Sequence, residues 1–71
     1  MHFKELIKMV RERRESLQVT QETLAELSGV GLRTLKQCER GKGNPTLITL
    51  QKLGNALGLE ITMKVKTKSN N

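Results

Sequence analysis

Leu32, Arg33, Lys36 and Gln37 are spaced so that, on a helix, they share one side while Val30, Leu35 and Cys38 take the other. The chemistry of the first set matches the edges of stacked base pairs. The Arg33 guanidinium can donate two hydrogen bonds to O6 and N7 of guanine, the Gln37 amide can pair with N6 and N7 of adenine, and Leu32 can meet a thymine methyl. Such a set suits a helix lying in the major groove of duplex DNA. The plain alternative is a solvated face with one exposed leucine.

The elements that would position this face are legible around it. Thr20 precedes Gln21, Glu22 and Thr23 as an N-cap, and Glu22 suits the positive end of a helix starting there. Leu24, Ala25 and Ser28 give that helix a narrow face of mostly small residues, and Gly29 is placed to stop it. A second helix follows from Gly31 to Arg40. Thr20 to Gly41 therefore reads as two short helices joined by a tight glycine turn, an arrangement that usually grips DNA.

Composition narrows the partner. A chain of 71 residues holds one domain with a small core. Thirteen Lys and Arg against seven Asp and Glu give a net charge of +6, which favours an anionic partner, although charge alone serves solubility equally well. Phe3 is the only aromatic residue, which argues against a module that stacks unpaired bases and leaves double-stranded DNA as the better polyanion. No apolar run has the length of a membrane span and no signal-peptide pattern is present, so a cytoplasmic protein is expected. Cys38 stands alone, His2 is incidental, and no Cys or His cluster has metal-ligand spacing; neither a metal nor a cofactor is implied. No nucleophile and base pair, paired carboxylates or phosphate-cradling motif suggests an enzyme.

Before the central pair, Phe3, Leu6, Ile7, Val10 and Leu17 recur at helical spacing over residues 3 to 17. Arg11 and Arg13 belong to the mixed, charged outer side and read as solvated. Arg14 is different. It falls four residues after Val10, on the side that faces the core, where an unpaired charge is costly, so it requires an acidic partner.

After the central pair, Gly41 to Pro45 is a turn-rich loop in which backbone N–H groups beside Lys42 and Gly43 can bind phosphate oxygens. Thr46 can cap a fourth helix with Leu47, Leu50, Leu53 and Leu57 at buried spacing. Gly54 weakens that helix by about 1 kcal/mol relative to alanine unless close packing requires a missing side chain. Beyond Gly58 the period becomes alternating: Leu59, Ile61, Met63 and Val65 on one side, Glu60, Thr62, Lys64 and Lys66 on the other. This reads as a strand. With no other strand in the chain to pair with, a second copy could supply one, burying Ile61, Met63 and Val65 at a twofold axis. The alternative is a tail lying on its own domain. Residues 67–71 are polar and read as a disordered end.

Gln21, Leu24, Ala25, Gly29, Val30, Thr34, Leu35, Glu39, Arg40 and Gly41, followed by Asn44, Pro45, Thr46 and Leu47 and by Ala56, Leu57 and Gly58, resemble the Cro/C1 (XRE-type) helix-turn-helix family over roughly residues 5 to 60. The resemblance implies an all-α, compact four-helix lambda-repressor-like domain. It implies that Gln21 touches a DNA phosphate and braces the recognition helix. Leu32, Arg33 and Gln37 are implied to reach base edges, with Lys36 at a base or a phosphate, and Thr34, Lys42, Gly43 and Asn44 on the backbone side. It also implies that Arg14 and Glu39 form a buried ion pair. Two positions depart from the pattern: Gly31 stands where a Ser or Thr cap is usual, and Cys38 where a larger aliphatic residue is common. Glycine is a tolerated cap, and a small buried thiol fits a tight core without a redox role.

The expected organisation is a DNA-binding domain over residues 1–58, a dimerisation strand over 59–66 and the tail over 67–71. The expected function is a transcriptional regulator, a repressor that binds a palindromic operator as a homodimer. The order of elements is also similar to a HipB-like antitoxin, which would add a toxin as partner. A protein-interaction adaptor that no longer touches DNA is the third reading.

Overall fold

The computed structural model describes residues 3–66, which form four helices: α1 (Phe3–Ser16), α2 (Gln21–Ser28), α3 (Leu32–Glu39) and α4 (Leu47–Ala56). α2 packs against both α3 and α4, and α1 lies across the same two helices. Val10, Leu24, Val30, Leu35, Leu53 and Leu57 meet at the centre, each at the inward position of its helix or turn. A second cluster of Ile7, Cys38 and Leu50 fills the gap between α1, the end of α3 and the start of α4.

The helix ends explain the tight turns. Thr20 and Thr46 each adopt extended backbone and accept a hydrogen bond on the side-chain oxygen from the N–H of Thr23 and Thr49, respectively. Gly29 closes α2 in the left-handed region, φ 76°, with its N–H donating to the Ala25 carbonyl. At the end of α1 the left-handed residue is Gln18, φ 58°, and paired bonds run from Gln18 N–H to the Glu15 carbonyl and from Val19 N–H to the Arg14 carbonyl. α4 ends with the same pair of bonds, which brings Leu59 N–H within 2.7 Å of the Gly54 carbonyl. A Cβ on Gly54 would stand 3.4 Å from the Leu59 carbonyl oxygen, so this helical glycine leaves room for the returning chain.

Three expectations are corrected. Leu17 lies past the end of α1 and is 46% exposed, because the left-handed turn at Gln18 carries the chain off the apolar stripe. Leu47 occupies the first turn of α4, beyond the edge of the core filled by Leu50, Leu53 and Leu57, and is also exposed. The strand over 59–66 is not formed among the described residues. Leu59 and Ile61 tuck against the domain while Glu60 and Thr62 face outward, so the alternation is kept for a few residues. Met63 and Val65 are 92% and 96% exposed, and the segment finds no ladder partner among the described residues. His2 and residues 67–71 lie outside the described residues.

Candidate nucleic-acid interface

α3 divides its side chains sharply between core and surface. Leu35, Cys38 and Glu39 are buried, whereas Arg33, Thr34 and Gln37 are exposed and Leu32 and Lys36 are half-buried at the edges. Leu32, Arg33, Lys36 and Gln37 line one open groove, together with Arg40 and Lys42. Arg40 was not singled out from the sequence as a site residue; its position one turn beyond Lys36 and Gln37 was the available signal.

The orientation of this face is fixed from beneath. Arg14 grips Glu39 with two parallel bonds, Nε to Oε2 and Nη2 to Oε1, both 2.8 Å, and its Nη1 donates to the Val19 carbonyl at 2.9 Å. Gln21 adds a bond from Nε2 to Glu39 Oε1 at 3.0 Å. Glu39 thus ties the end of α1 and the start of α2 to the last turn of α3. Both charged side chains are nearly enclosed, at 12% exposure for Arg14 and 4% for Glu39, and the fork geometry satisfies them where a single charge would be costly. Glu39 holds the Arg14 guanidinium above its ordinary pKa, chiefly through these hydrogen bonds, so the arginine stays charged throughout the working range. A second arginine, Arg13, donates from Nε to the Leu57 carbonyl at 2.9 Å and ties α1 to the end of α4.

At the other end of α3, Gly31 offers no side-chain hydrogen bond to the first turn. Ser28 shapes the preceding turn instead, its Oγ accepting from Val30 N–H at 3.2 Å. After α3, Gly41 and Gly43 both take positive φ, and Lys42, Gly43 and Asn44 are exposed while Pro45 is buried beneath them. The loop therefore presents Lys42 beside the α3 groove. Cys38 packs with Ile7 and Leu50, and burial pushes its thiol up, which keeps it protonated and unreactive. Among the described residues, no group of His, Cys, Asp and Glu could hold a metal ion, and no helix is long and apolar enough to cross a membrane.

Residues 10–63 match the family model described as helix-turn-helix, a span that includes all of α2, α3 and α4. The chain belongs to the Cro/C1-type helix-turn-helix family. An uncharacterized HTH-type transcriptional regulator of Methanothermobacter thermautotrophicus is 42% identical over 52 residues, covering 73% of this chain and 75% of that one. A second, y4dJ of Sinorhizobium fredii, is 46% identical over 41 residues, covering 58% of this chain and 53% of its own. Among solved structures, the restriction-modification controller protein C.AhdI from Aeromonas hydrophila superposes with a TM-score of 0.74 at 36% identity, covering 82% of this chain and 88% of that one. The four-helix architecture and the helix-turn-helix are thus those of the family. The chain is a DNA-binding regulator that takes double-stranded DNA as its partner, and not an enzyme.

Proposed function

We propose that the chain is a repressor that inserts α3 into the major groove, with Leu32, Arg33, Lys36 and Gln37 reading base edges. The observation that carries this is the division of α3: the side that can hydrogen-bond bases faces solvent, while Leu35, Cys38 and Glu39 hold the opposite side in the core. Gln21, Thr34, Lys42, Gly43 and Asn44 flank the groove-facing set and contact phosphates, which fix register and carry no sequence information. The Arg14–Glu39 pair keeps the reading helix at a set angle to α1 and α2.

Two copies act together on a palindromic operator, repressing by occupying promoter DNA. The exposed Thr62–Val65 segment supports this pairing, because Met63 and Val65 leave apolar surface uncovered and the backbone there has no ladder partner among the described residues. The same uncovered residues support an antitoxin as the second reading, with a toxin covering them in place of the second copy.

Base reading and phosphate contact separate by mutation. In a binding series over single base-pair changes in a preferred duplex, Arg33→Ala loses about 1 to 3 kcal/mol of discrimination at particular positions. Lys42→Ala weakens every duplex alike and lowers the salt dependence by about one phosphate contact. An Arg33→Ala variant that scaled all affinities by one factor would contradict base reading by α3.

A further inference from the structure

The cationic surface does not end at the edge of α3. Arg40, on the groove of Arg33, Lys36 and Lys42, also borders a recess shared with Arg11 and Gln21, and another shared with Lys4, Lys8 and Arg11. Lys4 reaches the far side of the loop as well, where it shares a small recess with Lys42 and Gly43 above Cys38. The recesses join the basic residues of α1 to those of α3 and the following loop.

Lys4, Lys8 and Arg11 stand four and three residues apart, so they form one edge of α1, and all three are exposed, as is Arg40. Among the described residues the only ion pair is Arg14 with Glu39, so none of these cations is held in a direct ion pair. Glu39 borders two of the recesses, but its oxygens already accept from Arg14 and Gln21. Glu12 follows Lys8 by four residues and Glu15 follows Arg11 by four, so they offset part of the charge, but Lys4, Lys8, Arg11 and Arg40 outnumber them.

We propose that the Lys4, Lys8 and Arg11 edge of α1, joined to α3 through Arg40, is a second phosphate-binding surface that grips the backbone of the duplex read by α3. The proposal rests on that reading of α3. Continuity with the groove and an excess of positive charge select the occupant: a polyanion already seated on α3 is the nearest matching charge. An exposed ion pair with one carboxylate contributes little, whereas each phosphate neutralised on a duplex releases condensed counterions. The role of such an edge is affinity and steering without sequence preference.

The test compares the wild-type chain with Lys4→Gln/Lys8→Gln/Arg11→Gln on a duplex that the wild-type chain enriches from a random pool, titrated with potassium chloride. The expected result is a salt dependence shallower by about 2.7 in log–log slope, at ~0.9 per phosphate contact, with the ranking of base-pair variants unchanged. Over a fourfold rise in salt the neutral variant then loses roughly 40-fold less affinity than the wild type, by the same slope. Lys4→Arg/Lys8→Arg/Arg11→Lys retains the wild-type slope. Far-UV circular dichroism of each variant reports the fold, which these exposed positions leave intact. Equal slopes for the wild type and the neutral variant, on a duplex that both discriminate, overturn the proposal while leaving base reading by α3 in place. A shallow slope in the charge-keeping variant overturns it too, since charge would not be the cause. A wild-type chain that prefers no duplex refutes the reading of α3 itself, and this proposal with it.

Discussion

Glu39 shows how much can depend on one side chain. It is buried on α3, accepts a two-pronged bond from Arg14 and a third bond from Gln21, and so joins three helices through one carboxylate. Removing it leaves the Arg14 guanidinium enclosed with, among the described residues, the Val19 carbonyl alone to accept from it. We expect Glu39→Ala to lower unfolding stability by about 3 kcal/mol in a denaturant titration, a large share of what so small a domain has. Arg14→Met combined with Glu39→Ala should recover part of the loss, because no unpaired charge remains buried. The sequence indicated that Arg14 needs an acidic partner, since its place on the apolar stripe could be read from spacing. It did not indicate that Gln21 would share the same oxygen or that Arg13 would reach the Leu57 carbonyl. Those bonds join positions 18 and 44 residues apart, and a contact at such a separation leaves no local signature.

At the level of elements, the starts of α2 and α4 rest on the same device, a threonine whose hydroxyl accepts from the N–H three residues on. Thr46→Ala should cost about 1 kcal/mol by thermal or denaturant unfolding and loosen the join between the 41–45 loop and α4. These starts, and the stop at Gly29, were legible because capping chemistry acts within one turn of the chain. The end of α1 was harder to read, because Gln18 takes a left-handed conformation that favours glycine, and Leu17 is carried out of the core with it. Leu47 has the right spacing but sits one turn too early, and periodicity alone cannot show where the neighbouring helices end. Gly54 shows the same limit: the pattern flagged a helical glycine, and only the fold supplies its reason, the backbone of Leu59 passing close by. The alternation after Gly58 was also real in the sequence. Half of it finds contacts on the domain at Leu59 and Ile61, and the other half, Met63 and Val65, is left exposed among the described residues.

The whole molecule combines a helix with an outward polar face, a net charge of +6 and, among the described residues, an uncovered apolar pair at Met63 and Val65. A single copy would present one short reading helix and a modest number of phosphate contacts. The proposed pairing of two copies through residues 59–66 would make the second binding event intramolecular and fix the distance between the two α3 helices. The charge and the outward face of α3 were both legible from composition and helical spacing, whereas the joining of α1 to α3 through Arg40 depends on how the helices cross. The most direct measurement is selection of bound sites from random duplexes, run in parallel with the full chain and with a chain ending at Gly58, whose mass in solution is followed by light scattering. The account predicts that the full chain is a dimer and enriches twofold-symmetric sites with half-sites about one helical turn, ~34 to 36 Å, apart. It predicts that the shortened chain is a monomer and enriches the half-site weakly. A full chain that returns the random pool unenriched, or enriches sites with no symmetry, would contradict it.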